Sequence, residues 1–98
     1  MILIDESNLQ NFVLTVGAHQ SFKDGTCVME LVSHLAGFPH SASPACTDPA
    51  DVVFCTKLND ILPDDQRQRL LGYISLLVNS AGGPERTKRK AEHYAWAA

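Results

Sequence analysis

Residues 63–81, PDDQRQRLLGYISLLVNSA, contain the most regular apolar pattern in the chain. Apolar side chains recur there at intervals of three and four residues, which places them on one face of a helix. These positions are Leu70, Ile74, Leu77, Val78 and Ala81. Pro63 followed by Asp64 and Asp65 is typical of a helix N-terminus. The stretch therefore predicts a helix that packs one apolar face into a core.

A helix is also predicted from Thr26 to Ala36. Asp24 and Gly25 form a start signal before it, and Gly37 followed by a proline closes it. Its apolar stripe consists of Val28, Leu31, Val32 and Leu35. The side chains on an adjacent stripe are Cys27, Glu30 and His34. Residues 38–47 contain two prolines and several small residues, so they are predicted to form a loop.

Two more helices complete the prediction. Asp48 and Pro49 are an N-cap and first-turn pair for a helix that runs to about Leu62. Its predicted apolar face is Phe54, Leu58, Ile61 and Leu62, with Cys55 beside that face. A last helix, Glu85 to Trp96, follows two glycines and a proline. We expect it to turn Ala91, Tyr94 and Ala95 toward the interior.

The N-terminal segment leaves two alternatives open. Residues 11–16, NFVLTV, are rich in aromatic and β-branched side chains, which suits a short strand or the first turns of a helix. As a strand, the segment would pair with residues 1–4 in a small hairpin. The fold class predicted for residues 1–98 is mainly α: one domain, a compact bundle of three to four helices with a short strand-like N-terminal segment.

Composition narrows the class of protein. With 45% apolar and 19% charged residues, the 98-residue chain suits one globular core. No apolar stretch approaches the roughly 20 residues that span a bilayer, so we predict no membrane insertion. Residues 1–6 do not resemble a secretory signal. Three cysteines cannot all pair within one molecule, which favours reduced thiols and a cytoplasmic location.

Charge is divided unevenly along the chain. Residues 1–65 hold nine acids against two bases, a net −7, and residues 66–98 hold six bases against two acids, a net +4. This polarity suits contact between opposite ends of two copies, an acidic partner for the C-terminal segment, or a merely solvated helix face. Nucleic-acid binding is not predicted, because the basic cluster Arg86, Lys88, Arg89 and Lys90 is short and the rest of the chain repels phosphate.

Histidines and cysteines cluster between residues 19 and 46. Zinc prefers four nitrogen, sulfur or oxygen donors in a tetrahedron, and the candidate set is His19, Cys27, His40 and Cys46. No pair has the close spacing of a zinc knuckle. The alternative is that Cys27 and Cys55 are small apolar side chains at the edge of the core, with the histidines at the surface.

Cys27 has a second interpretation. A thiol in the first turn of a helix sees unpaired backbone N–H groups and the positive end of the helix dipole, which lower its pKa. The run Asp24-Gly25-x-Cys27 before an apolar helix resembles the nucleophile segment of ovarian-tumour-type cysteine proteases, and His93-Tyr94 resembles the pair that supplies their base. That resemblance covers these few residues and implies a thiol nucleophile with His93 as base.

A broader pattern extends from residue 17 to about residue 95. Its parts are Gly17-x-His19, Asp24-Gly25-x-Cys27-x-Met29-Glu30, Ala36-Gly37-x-Pro39-His40-Ser41, Pro44-x-Cys46, Leu58-Asn59-Asp60 and Arg89-x-Ala91-x-x-Tyr94-Ala95. The chain in this respect resembles a group of small uncharacterised domains of actinobacteria and their phages. The resemblance implies a compact domain and such a source, with no assigned activity. Among matching positions it draws attention to His19, Cys27, Glu30, His40 and Cys46.

The sequence predicts binding more than catalysis. It contains no P-loop, no G-x-G-x-x-G, no H-E-x-x-H and no G-x-S-x-G motif, so we assign no catalytic residue. We expect a cytoplasmic protein-interaction module, phage-encoded and host-directed, that uses Phe38, Pro39 and His40 in a semi-rigid loop. Trp96 is a further candidate contact and a means of self-association. The alternative is a zinc-stabilised domain or a cysteine-dependent enzyme centred on Cys27.

Overall fold

Helix α1, Val28–Ala36, lies in the middle of the fold. The computed structural model describes residues 2–7, 9–17, 19 and 25–97, without the side chains of Gln10, Trp96 and Ala97. All six residues from Val28 to Ser33 are buried, so α1 has almost no solvent-facing side in its first two turns. A helix that is buried all round belongs to the interior of a fold, and the helices Pro49–Ile61 and Ile74–Val78 pack against this one.

The two ends of α1 follow local rules. It begins two residues later than predicted because Cys27, in extended conformation, is the N-cap. Asp24, part of the predicted start signal, lies outside the described residues. The predicted end is confirmed: Gly37 has a φ of 81° and donates its N–H to the His34 carbonyl at 3.3 Å. A left-handed glycine at that place satisfies a carbonyl that the helix leaves free.

Helix α2, Pro49–Ile61, begins where the sequence predicted, with the Asp48 side chain accepting the Ala50 N–H at 2.9 Å. Its predicted apolar face is confirmed in part, since Phe54, Leu58 and Leu62 are partly buried. The side chains that turn inward are Asp51, Cys55 and Asn59, four residues apart, whereas Ile61 is exposed. Polar side chains occupy the inner face because each finds a hydrogen-bond partner on another segment, which removes the cost of burying it.

The predicted helix after Pro63 is divided into three pieces: α3, Asp64–Arg67, a 3-10 helix, Gln68–Tyr73, and α4, Ile74–Val78. Gly72 lies in the middle piece, and a glycine weakens a helix by about 1 kcal/mol relative to alanine. The apolar face is confirmed for four of its five positions, Leu70, Ile74, Leu77 and Val78. Ala81 follows the end of α4 and is exposed.

Helix α5, Pro84–Ala97, packs on α2. Its bounds agree with the prediction to within one residue at each end. Of the three side chains expected inside, only Tyr94 is partly buried, while Ala91 and Ala95 are exposed. Tyr94 stacks on Phe54 of α2 with ring centroids 4.1 Å apart and planes 8° from parallel. The helix is thus held by one aromatic contact and by polar groups, so its alanines are not needed for packing.

The N-terminal segment is extended around a short 3-10 helix, Leu9–Asn11, and the hairpin does not form. Residues 2–7, 9–17, 19 and 25–97 contain no β-strand. Side-chain amides take the place of a partner strand. Asn79 accepts the Ile2 N–H at 2.9 Å and donates to the Ile2 carbonyl at 2.8 Å. Gln68 does the same for Leu14, at 2.9 and 3.0 Å.

The fold is therefore a mainly helical, compact bundle with a radius of gyration of 12.8 Å. Its core consists of Leu14, Cys27, Val28, Met29, Leu31, Val32, Cys55, Leu70, Ile74, Leu77 and Val78. Both cysteines that the sequence placed at the edge of the core belong to it. In the described part of the chain, no helix combines the length and apolarity that crossing a membrane requires.

Candidate functional site

The Glu30 carboxylate is the centre on which three of the predicted site residues, His19, Cys27 and His40, converge. It lies in the first turn of α1 and is only 1% exposed. His19 binds it twice, through its backbone N–H at 2.7 Å and through Nδ1 at 2.8 Å. The Cys27 N–H donates to the same carboxylate at 2.9 Å. Glu30 therefore joins the start of α1 to a residue eleven positions earlier.

His40 adds the loop after α1 to this cluster. Its Nε2 lies 3.2 Å from the second Glu30 oxygen and 2.7 Å from the His19 carbonyl oxygen, to which it donates. The loop is fastened a second time where the buried Ser33 hydroxyl donates to the Ser41 carbonyl at 2.6 Å. Two separate contacts thus fix the exposed residues 38–40 against the helix.

These contacts keep Glu30 ionised. Burial alone would raise its pKa, but the hydrogen bonds donated by His19 and by the Cys27 backbone outweigh burial and lower the pKa to about 2. His19 is oriented from its other side as well, since its Nε2 lies 3.1 Å from the Thr15 hydroxyl. A carboxylate with this many donors holds neighbouring segments in place and has little capacity left to act as a base.

Cys27 does not have the surroundings of a nucleophile. Its side chain is 2% exposed and serves as the helix cap, with Sγ accepting the Glu30 N–H at 3.5 Å. Burial raises the pKa of the thiol to about 11, so the expectation of a lowered pKa is wrong. His93, the base implied by the protease resemblance, is exposed on α5 and contacts the Tyr94 ring. The thiol of Cys27 is thus protonated at neutral pH.

The predicted zinc ligands are only partly brought together. His19, Cys27 and His40 meet around Glu30, whereas Cys46 contacts a different part of the fold, its carbonyl accepting the Ala81 N–H at 3.1 Å. No three His, Cys, Asp or Glu side chains among the described residues are arranged to hold a metal ion. Zinc binding stays a prediction, and sequence reasoning left Glu30, the residue that connects this cluster, out of its ligand set.

The predicted partner-binding residues lie partly outside this cluster. Phe38, Pro39 and His40 are exposed and follow directly on α1. The Trp96 side chain lies outside the described residues, so that prediction is untested.

A groove that the sequence did not predict lies on another face of the bundle. It has a volume of about 930 Å³ and lies between the N-terminal residues, α2, residues 66–80 and α5. Its lining is mainly apolar and includes Ile4, Phe54, Leu58, Leu62, Leu70 and Leu77. Three large side chains at its opening are exposed to water: Leu3 at 86%, Leu76 at 69% and Tyr73 at 57%.

A polar cluster lines the α5 end of the groove. Asp51 accepts hydrogen bonds from Lys90 Nζ at 2.7 Å and from the Tyr94 hydroxyl. Burial alone would raise the pKa of Asp51, but these two donors lower it below its ordinary value. Burial and the bond to Asp51 raise the pKa of the Tyr94 hydroxyl. Lys90 and Asp51 therefore neutralise each other, and the cluster fastens α5 to α2.

Comparisons of this chain with protein-family models, with curated proteins and with solved structures found no match. The resemblances drawn from the sequence therefore remain predictions. The two candidate sites are the Glu30 cluster and the groove. In the Glu30 cluster the polar groups bond to one another, whereas in the groove Leu3, Tyr73 and Leu76 are exposed to water.

Proposed function

We propose that this protein is a small protein-interaction module that binds a segment of another protein in the groove. The observation that carries the proposal is the group of exposed apolar side chains at the groove opening, Leu3, Tyr73 and Leu76. Large apolar side chains gathered at one concave place typically mark an interaction surface. Burying them against a partner removes apolar area from water, worth about 25 cal/mol per Å².

The exposed residues 38–40 are proposed as a second contact surface. Their support is the rigid attachment of the loop, since His40 bonds to the His19 carbonyl and Ser33 bonds to Ser41. A loop fastened at residues 40 and 41 loses little conformational freedom when a partner binds. Phe38 supplies the apolar contact and His40 the polar one.

We also propose a cellular location and a source for the protein. Cytoplasmic location is supported by three cysteines that are all free thiols. A phage origin and a target in an actinobacterial host rest on the resemblance over residues 17–95. The alternative of an enzyme centred on Cys27 has less support because that thiol is buried and its pKa is raised to about 11. The alternative of a zinc-stabilised domain has less support because Cys46 lies apart from His19, Cys27 and His40.

A selection experiment tests the function. A displayed library of random peptides is selected against the wild-type chain, and enriched sequences are measured against variants by fluorescence anisotropy. We expect Leu76→Asp to weaken binding by about tenfold or more, because a charge then replaces an apolar contact. Val53→Asp is the matched control, since Val53 on α2 is 65% exposed but does not line the groove.

The results of this experiment distinguish binding in the groove from binding at residues 38–40. Enriched peptides that bind wild type and Val53→Asp equally, and Leu76→Asp poorly, support the groove. Loss of binding in Phe38→Ser instead would keep the function and transfer it to the loop. A selection that enriches no sequence above the background of an unrelated helical bundle would contradict the proposed function.

A further inference from the structure

The groove continues into a basic strip on α5. A shallow depression on that helix shares Arg86, Lys90 and Tyr94 with the groove and adds Arg89 and His93. Apolar and cationic surfaces are therefore contiguous. A ligand that covers both needs apolar groups on one side and negative charge beside them.

The charges along the groove favour an acidic ligand. Lys90 and Asp51 form an ion pair, which leaves Arg69, Arg86 and Glu6 as the charged residues of the groove lining. Among the residues that the structure describes, Arg69, Arg86 and Arg89 take part in no ion pair. All three residues are exposed, and the planar guanidinium group of arginine matches the geometry of a carboxylate. The balance of unpaired charge at this surface is thus positive.

The walls of the groove, which are mainly helical, favour a helical ligand. Peptides recognised as extended strands usually add to the edge of a sheet, and no β-strand occurs in the described ranges. At Ile2 in the N-terminal wall, moreover, both backbone groups are already bonded to Asn79. Grooves between helices instead accept amphipathic helices, with side chains at i, i+3, i+4 and i+7 as anchors.

Resting on the proposed function, we infer that the partner segment is an amphipathic α-helix that carries acidic residues beside its apolar stripe. Its apolar side chains contact Leu3, Tyr73 and Leu76, and its carboxylates lie against Arg69 and Arg86.

A second copy of this chain is the less suitable occupant. One acidic, apolar surface that a copy could offer lies outside the groove, where Ile61 is exposed next to Asp60 and Gly17 donates to the Asp60 carboxylate at 2.9 Å. Contact between two unlike faces is heterologous and does not close into a two-fold dimer. A separate protein segment has no such restriction.

Two synthetic helical peptides test the inference directly. Both carry the same leucines at i, i+3, i+4 and i+7, but glutamates flank the stripe in one and lysines in the other. At about 20 mM salt we expect the acidic peptide to bind about tenfold more tightly, and at about 300 mM salt the difference should shrink, since salt screens exposed charges. Arg69→Glu combined with Arg86→Glu should abolish or reverse the preference.

Lys88→Glu supplies the matched control, because Lys88 is an exposed cation of α5 that lines neither the groove nor the strip. It changes net charge as one arginine reversal does, and the peptide preference should survive it. Leu76→Asp should weaken both peptides. A preference lost equally in Lys88→Glu would mean that overall charge, and not this site, selects the peptide, and would overturn the inference.

Other results overturn the inference while leaving the proposed function intact. These are equal binding of both peptides, or no binding of either while library-selected peptides still require Leu76. Binding to phosphatidylglycerol vesicles without peptide binding would assign the surface to membranes and overturn the inference as well. So would self-association that Leu76→Asp removes, seen by sedimentation of the chain alone. Failure of the library selection, in contrast, would contradict the function itself.

Discussion

The imidazole Nδ1 of His19 and the carboxylate Oε1 of Glu30 lie 2.8 Å apart, and the backbone N–H of His19 donates to the other oxygen of the same carboxylate. This double contact fixes residue 19 to the first turn of α1. Since the Cys27 N–H and His40 Nε2 also contact Glu30, one buried side chain positions the segments on both sides of the central helix.

Glu30→Gln should therefore destabilise the fold. Glutamine keeps the size of the side chain, but its NH₂ group faces donors where the carboxylate accepted, and the charge is lost. Removing one partner from a buried charged network costs about 3 kcal/mol. Urea unfolding followed by circular dichroism measures this, with Glu92→Gln as the control because Glu92 is exposed on α5. A loss of stability no larger than in the control would contradict the role given to Glu30.

The same carboxylate predicts a stability that depends on pH. The pKa of Glu30 falls from its ordinary value of 4.5 to about 2 on folding. Because the folded-state pKa is depressed, the stabilisation is complete above the unfolded value and is lost as pH falls from about 4.5 toward 2. Wild type should lose stability over that range more steeply than Glu30→Gln. Parallel curves for the two proteins would be the contrary result.

Thiol labelling should distinguish the three cysteines. Cys27 and Cys55 are buried, and burial raises the pKa of both thiols to about 11, whereas Cys46 is only partly buried. With a thiol-reactive probe at neutral pH, we expect one fast reaction at Cys46 and two slow reactions that need unfolding. Cys46→Ser should remove the fast phase. Rapid labelling of Cys27 would instead support the cysteine-dependent enzyme.

The start of α2 and the end of α1 could be predicted because local chemistry sets them. Asp48 before Pro49 caps α2, and the left-handed Gly37 ends α1. Both caps depend only on residues that are close in sequence. The inward faces were less predictable, since they depend on distant partners. Asn59 is fully buried because it donates to the Thr15 carbonyl at 2.9 Å and accepts the Val28 N–H at 3.0 Å. Both contacts join residues that are far apart in sequence, so the spacing of apolar residues does not predict them.

The candidate site was predictable only in part, for the same reason. Residue type alone singled out His19, Cys27 and His40, and they do gather around Glu30. Closeness in sequence does not determine which part of the fold a residue contacts, and Cys46 lies away from Glu30, next to Ala81. The groove has walls from both ends of the chain, with Leu3 and Tyr94 lining the same space. The apolar periodicity of a single helix cannot predict a groove whose lining comes from four separate segments of the chain.

The attachment of α5 provides the last prediction. Tyr94 bonds to the Asp51 carboxylate and stacks on Phe54, and no residue of α5 with a described side chain is fully buried. Tyr94→Phe retains the ring and removes the hydroxyl, so Asp51 loses one of its hydrogen-bond donors. We expect a loss of about 1–2 kcal/mol and faster hydrogen exchange confined to α5. Tyr73→Phe is the control, since Tyr73 is exposed and should change stability little. Unchanged exchange in α5 would mean that the aromatic contact alone holds the helix, and uniformly faster exchange would mean that α5 unfolds only together with the core.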